Sequence, residues 1–512
     1  MDWGTFAHNV FMTVYTFMLV MVSLYGFHRY ALVWLYYRHR KNAPQPADRF
    51  SELPRVTVQL PMYNERFVAQ RIIEKTCELD YPRDRMQIQV LDDSSDETCE
   101  IARAAVEEAR GRGFDIEYIH RTDRTGYKAG ALSNGLKSAT GEFVTIFDAD
   151  FVPAPSFLSE SIHYFSDPKV CVVQTRWDHL NRNDSLLTRT QAIFLDGHFA
   201  IEHVARNRSD RFMSFNGTAG TWRVAAIDDA GGWHHDTLTE DLDLSYRAQL
   251  KGWKFVFLPN LIAPAELPPE MSAFKAQQFR WTKGGAQTAL KMLPKVMLSK
   301  MPLKVKVEAF FHLTSFTMHL YMFFMVIMLF PAMYMQCVPL ENGSFWRGVF
   351  DLSVLALATF SAAVFYVASQ FELMGHWRNT LRFLPMLMAL GVGLCVSNTK
   401  AIFEALLGRK SEFVRTPKYG GDTTGHLEAN RKEYRRCWVP YVELLFGVYM
   451  SVCAVSSLVN FRAAFSTPFL IIYAFGFFYV SMMSFQAERA RKVQRLAGED
   501  TQPAEARADT RG

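Results

Sequence analysis

The sequence is poor in paired cysteines and in charge of one sign. Seven cysteines are scattered through 512 residues, with no CxxC pair and no histidine at ligand spacing. That pattern gives no zinc site and no disulfide framework, and it suits a reducing compartment. The net charge of +5 is too small to mark a nucleic-acid surface, and no nucleic-acid partner is expected. No GxGxxG follows the first strand-like run, so the dinucleotide fingerprint is missing. The first apolar run is too long for a signal-peptide core and lacks a small-residue cleavage pattern, so it reads as an anchor. No internal repeat stands out.

What is present is apolar and unevenly spread. Half of the chain is hydrophobic, with 42 Phe and 23 Met. The run from Val10 to Phe27 continues through "ALVWLYY", long enough to cross a bilayer. Further runs lie near Ala309 to Met335, Val349 to Ala368, Leu384 to Val396, Val439 to Leu458 and Phe469 to Met483. "RHRK" follows the first run and "ERARKVQR" the last, and positive ends favour the cytoplasmic side. The N-terminus is then outside, with the charged domain and the C-terminus inside. The basic loop over 408–435 must also be inside. Parity permits this if the short run over 384–396, flanked by Arg378, Arg382 and Lys400, dips into or lies on the inner face. Five full crossings result. The expected organisation is an anchor (1–42), a cytoplasmic domain (50–285), an amphipathic interface segment (286–308), a membrane region (309–485) and a polar, disordered tail (486–512). The class is a multi-pass protein of the inner (plasma) membrane, an enzyme or a carrier.

Within the charged domain, short β-rich runs alternate with helical stretches, which predicts an α/β fold with a mostly parallel sheet. Ligands of such sheets sit beyond the carboxyl ends of the strands. Tyr63, Asn64, Glu65, Asp92, Asp93, Asp148 and Asp150 all fall there. Asp and Ser after a strand are also common helix caps, and "DDSSDET" is open to that reading. "DAD" (Asp148 to Asp150) sets two carboxylates one residue apart, able to hold a hard divalent cation against a diphosphate. "RTDRTGYKAGAL" supplies Arg124 and Lys128 in a Gly-containing turn before a helix, a place for an anion. Gly217 and Gly220 in "FMSFNGTAGTWR" allow close backbone approach to a ligand. "TED" (Thr239 to Asp241) suits a helix start or a general base. Gln277, Arg280 and Trp281 share one helical face and suit a sugar and a phosphate.

In this order and spacing the strand-end acids, "FDAD", "TED" and "QQFRW" resemble a family 2 inverting glycosyltransferase of the cellulose synthase-like type. "VVQTRW", "FNGTAGTWR" and "FVRTPKYG" bring it close to the glucan and mannan synthase-like branch. The resemblance covers about Leu53 to Gln486. It implies a GT-A-type nucleotide-sugar-binding domain inserted between transmembrane helices. It also implies roles: Tyr63, Glu65, Asp93, Lys128, Asp148 and Asp150 for the donor nucleotide, and Mg or Mn on Asp148 and Asp150. Asp241 would be the catalytic base, and Glu240, Gln277, Arg280 and Trp281 would hold the acceptor end and the diphosphate. "FVRTPK" resembles a gating loop, with Phe413, Thr416 and Lys418 covering the nucleotide and Pro417 departing from the pattern. The short tail leaves no room for the cyclic-di-GMP-binding β-barrel of bacterial cellulose synthases, so activation by that messenger is not expected. The implied activity is processive synthesis, and extrusion, of a β-linked polysaccharide from UDP-glucose or GDP-mannose. The alternative is transfer of one sugar to a membrane lipid. Implied partners are the donor, the growing polysaccharide, the bilayer, and export or cell-wall components.

Overall fold

The computed structural model describes residues 3–337, 342–409, 418, 420, 438–459, 464 and 466–500. Seven strands form one sheet: β1 (Val56–Met62), β2 (Met86–Asp92), β3 (Asp115–His120), β4 (Phe143–Ile146), β5 (Val170–His179), β6 (Gly220–Arg223) and β7 (Lys254–Ala265). Their order is β3-β2-β1-β4-β6-β5-β7. β6 runs antiparallel to both neighbours and every other pairing is parallel. This is the mostly parallel α/β sheet that the alternating pattern predicts.

β1 and β2 are buried along their whole lengths, as strands covered on both faces must be. Their polar residues are satisfied sideways within the sheet. Thr57 Oγ1 donates to Gln87 Oε1 at 2.8 Å, and Gln59 Nε2 donates to Gln89 Oε1 at 3.0 Å. One face packs under α2 (Ala69–Cys77) and α3 (Thr98–Gly111). The other face packs against α4 (Tyr127–Leu136), and that core continues into Leu32, Leu35 and Tyr36 of the anchor helix α1 (Trp3–His39) and Phe365 of the Asn342–Met374 helix. The sheet and the apolar helices therefore share one buried layer, which fixes the strand ends relative to the helices.

Among the described residues, four helical stretches are long and apolar enough to cross a membrane: Trp3–His39, Ser353–Met374, Val439–Val459 and Thr467–Ala490. Two further pairs qualify if each counts as one bent span: Leu303–Thr314 with Thr317–Ala332 at 59°, and Leu384–Gly393 with Cys395–Leu406 at 41°. The short run over 384–396 is thus one arm of a bent pair. The Met271–Leu298 helix runs unbroken across residues 285 and 286, and the amphipathic segment is shared between it and the Leu303–Thr314 helix. The last helix, Thr467–Asp500, continues past residue 486.

Candidate active site

The carboxyl ends of β1, β2 and β4 form one wall of a cavity of about 200 Å³. At the end of β1 the chain turns sharply through Asn64, whose φ is 53°. The turn is tied to the next strand end: Asn64 N–H donates to Ser94 Oγ at 2.7 Å, and Ser95 N–H donates to Asn64 Oδ1 at 3.0 Å. Asn64 therefore orients the wall, while Tyr63 and Glu65 line it. The Arg124 guanidinium lies 3.2 Å from the Tyr63 ring centroid, a cation–π stack. Asp93 is gripped by Arg121, with Nε–Oδ1 at 2.8 Å and Nη2–Oδ2 at 2.5 Å, the bidentate form that fixes a carboxylate plane.

Lys128 is the second residue of α4. Its ammonium pairs with Asp148 and donates to Gly217 O at 2.9 Å. Asp150 is buried; its Oδ2 accepts from Lys418 Nζ at 2.6 Å and from Glu266 N–H at 3.2 Å. Each carboxylate of the DAD triplet thus already draws a positive charge. The donor set is hard oxygen, which suits Mg²⁺ or Mn²⁺, and the residues fit such a cation.

Glu240 and Asp241 open the Glu240–Leu250 helix. The preceding Thr239 sits at the cap position without capping; its hydroxyl lies 3.0 Å from that of Thr288. Asp241 Oδ1 accepts from Leu242 N–H at 2.8 Å. A Cβ at residue 217 would stand 3.0 Å from Asp241 Oδ2, and the backbone there has φ of +80°, so glycine gives the acid its space. Gly220, by contrast, packs against Phe215 and Val173, so its smallness serves the sheet. Burial pushes the Asp241 carboxyl up to about 7, and the Glu240 charge adds to the rise. Burial also raises Glu240, against the pull of Lys128. For Lys128 burial acts downward, but Asp148 and Glu240 outweigh it and hold the amine above its ordinary value. A carboxyl near neutrality beside a cation is the pattern of a general base.

Gln277, Arg280 and Trp281 project from the middle of the Met271–Leu298 helix, and Trp281 packs beside Leu195 and Leu267. The two glycines that follow do not end this helix. A Cβ on Gly284 would come within 2.6 Å of Thr239 Cγ2 and 2.9 Å of the Leu238 carbonyl carbon, so the helix presses directly on the segment that carries Asp241.

One cavity is lined by Tyr63, Glu65, Asp93, Lys128, Asp148, Asp150, Glu240, Asp241, Gln277, Arg280, Trp281 and Lys418. Phe413 and Thr416 lie outside the described residues. The sequence reading did not single out Trp177, His179, Asn216 and Glu266, which also line it. Among the described residues the Trp177 indole N–H is buried without a hydrogen-bond partner. A second cavity, of about 550 Å³, runs among the apolar helices, with Arg29, Phe316, Gly391 and Tyr473 in its wall. The two share Trp177, Leu195, Asn216, Thr239, Asp241 and Trp281.

Comparison with known proteins bears on the family and the fold. The model of the "Glycosyltransferase like family 2" matches residues 54–284. The chain is 34% identical over 456 residues to a probable glucomannan 4-beta-mannosyltransferase 9 of Oryza sativa, spanning 86% of this chain and 83% of the relative. The chain belongs to the cellulose synthase-like glycosyltransferases of family 2. It is also 36% identical over 431 residues to glucomannan 4-beta-mannosyltransferase 2 of Arabidopsis thaliana, covering 80% of this chain and 77% of that one. In fold it is similar to a mannosyltransferase of Pyrobaculum calidifontis solved with GDP-Man and Mn²⁺. That likeness has a TM-score of 0.50 and 20% identity over 77% of this chain and 99% of that one. This family 2 member is thus a glycosyltransferase of the β-glycan synthase type with a GT-A-type domain, and its apolar helices fit a multi-pass membrane protein.

Proposed function

We propose that the protein is an inverting hexosyltransferase that extends a β-linked polysaccharide from a nucleotide sugar. The observation that carries this reading is the convergence of residues 63 to 281 on one cavity that meets a second cavity at Asp241 and Trp281. GDP-mannose is the favoured donor, because relatives at 34–36% identity are named as glucomannan 4-beta-mannosyltransferases; UDP-glucose is the competing donor.

The chemistry is a direct displacement at the anomeric carbon. Asp241 accepts the proton of the acceptor hydroxyl as its oxygen forms the new glycosidic bond, and the nucleoside diphosphate leaves from the opposite side. An α-linked donor gives a β-linked product. Tyr63, Glu65 and Asp93 hold the nucleotide. Lys128 and Arg280 balance the charge that grows on the diphosphate. Trp281 and Gln277 set the acceptor end, with Glu240 beside the base. Asp148 and Asp150 would hold a divalent cation, which when bound would supply positive charge against the leaving diphosphate.

The larger cavity continues from the base into the apolar helices, so the product has a path away from the site that does not cross the donor. This favours a growing chain over a single transfer to lipid. We place the catalytic domain and the 408–435 loop on the cytoplasmic side of the plasma membrane, with five full crossings and Lys418 as part of a lid over the nucleotide. The test is to offer the purified chain a panel of nucleotide sugars with Mg²⁺ or Mn²⁺ and to analyse product size and linkage. A sedimenting β-linked polymer from GDP-mannose supports the reading. One sugar on lipid, or no transfer, overturns it.

A further inference from the structure

A second cluster of metal-binding side chains lies outside the active-site cavity, behind the donor wall. Asp92 and His120 are register partners at the ends of β2 and β3, and Cys99 stands in the first turn of α3. One carboxylate oxygen, the thiol sulfur and one imidazole nitrogen all lie within 4.8 Å of one another. Asp92 is fully buried. Its oxygens accept from Tyr118 Oη–H at 2.7 Å and from Ser94 N–H at 2.9 Å, and His120 Nδ1 lies 3.7 Å from it. Among the described residues no lysine or arginine pairs with this carboxylate. A buried carboxylate held by neutral donors, next to a thiol and an imidazole, calls for a cation.

Among the described residues, the other comparable trio is already filled. His234, Asp236 and Asp243 surround the Lys291 ammonium at 3.2, 2.8 and 3.0 Å, so that charge is answered. The Asp92 cluster has no such ammonium.

We propose that Asp92, Cys99 and His120 bind a thiophilic divalent cation of the zinc class, with water completing the coordination. One sulfur, one nitrogen and one oxygen ligand with an open position suit Zn²⁺. The all-oxygen DAD pair suits the harder ions. On binding, Cys99 gives up its proton to solvent and His120 coordinates as the neutral ring. Tyr118 and the Ser94 amide orient the carboxylate, as outer partners of metal ligands do. The bound ion would clip together two strand ends and a helix start. Asp93 follows Asp92, and Arg121 follows His120, so the clip anchors both members of an ion pair whose Asp93 lines the donor cavity.

The test is X-ray absorption at the zinc edge on the full-length, chelator-treated protein reloaded with one equivalent of Zn²⁺. The expected result is one sulfur neighbour at about 2.3 Å with nitrogen and oxygen at about 2.0–2.2 Å. Cys99→Ser should remove the sulfur shell, and Tyr118→Phe should weaken Zn²⁺ binding by about 10–100-fold. A shell of nitrogen and oxygen alone, or a sulfur shell that survives in Cys99→Ser, overturns the proposal.

Discussion

The two cavities that meet at Asp241 are built by opposite means. The smaller one is made of charges held in pairs: Arg121 on Asp93, Lys128 on Asp148, Lys418 on Asp150. Asp93, Asp148 and Asp150 follow the ends of strands far apart in sequence, and each is paired with a cation, while Glu240, Asp241, Gln277, Arg280 and Trp281 come from helices. The larger one is walled mainly by apolar side chains of helices that present large hydrophobics outward, such as Val20, Leu357 and Ile471. Its shape depends on packing between helices. On the function proposed above, the difference matches chemistry in the first cavity and passage through the second.

The sharpest way to break this division is to remove the charge from the DAD pair. Asp148→Asn with Asp150→Asn should take transfer below detection at every Mg²⁺ or Mn²⁺ concentration, read as nucleoside diphosphate release, while the protein still purifies folded. Next in size is an obstruction of the second cavity. A side chain at Gly391 meets open space, with nothing within 4 Å of an added Cβ. Gly391→Trp should therefore leave the fold intact but shorten the polymer, measured by gel filtration of the product. An unchanged length distribution would remove the passage role. Smaller again is the pH effect. The base proposed here, Asp241, is competent only when deprotonated, and burial and Glu240 lift it to about 7. The kcat/KM profile should thus rise through about pH 7 and level off above it. Glu240→Gln removes a raising influence, so the rising limb should move to lower pH.

Much of the first cavity was legible in the sequence, because carboxylates at the end of a buried strand stand out against its apolar run. "VTVQLPMYNE" and "EFVTIFDAD" show this most clearly. Trp177 and His179 were less visible. They end β5, where aromatic and polar residues alternate as in any half-buried strand, and only the pairing with β7 brings them to the cavity. The Gly284–Gly285 pair is unfavourable in a helix by propensity, yet the Met271–Leu298 helix runs through it, with Gly284 packed on Thr239. Cys99 and His120 show no metal-ligand spacing because they come from different elements, joined by strand register. In the second cavity the apolar runs were plain, but the 59° and 41° bends were not, since they depend on how neighbouring helices pack.

The measurement that tests the central claim most directly is a paired assay on Asp241→Asn: donor binding and sugar transfer on the same preparation. The account predicts that nucleotide affinity stays near that of the natural protein while transfer falls by about 10²–10⁴-fold. Transfer at the natural rate in that variant would contradict it, because a group other than Asp241 would then be taking the acceptor proton.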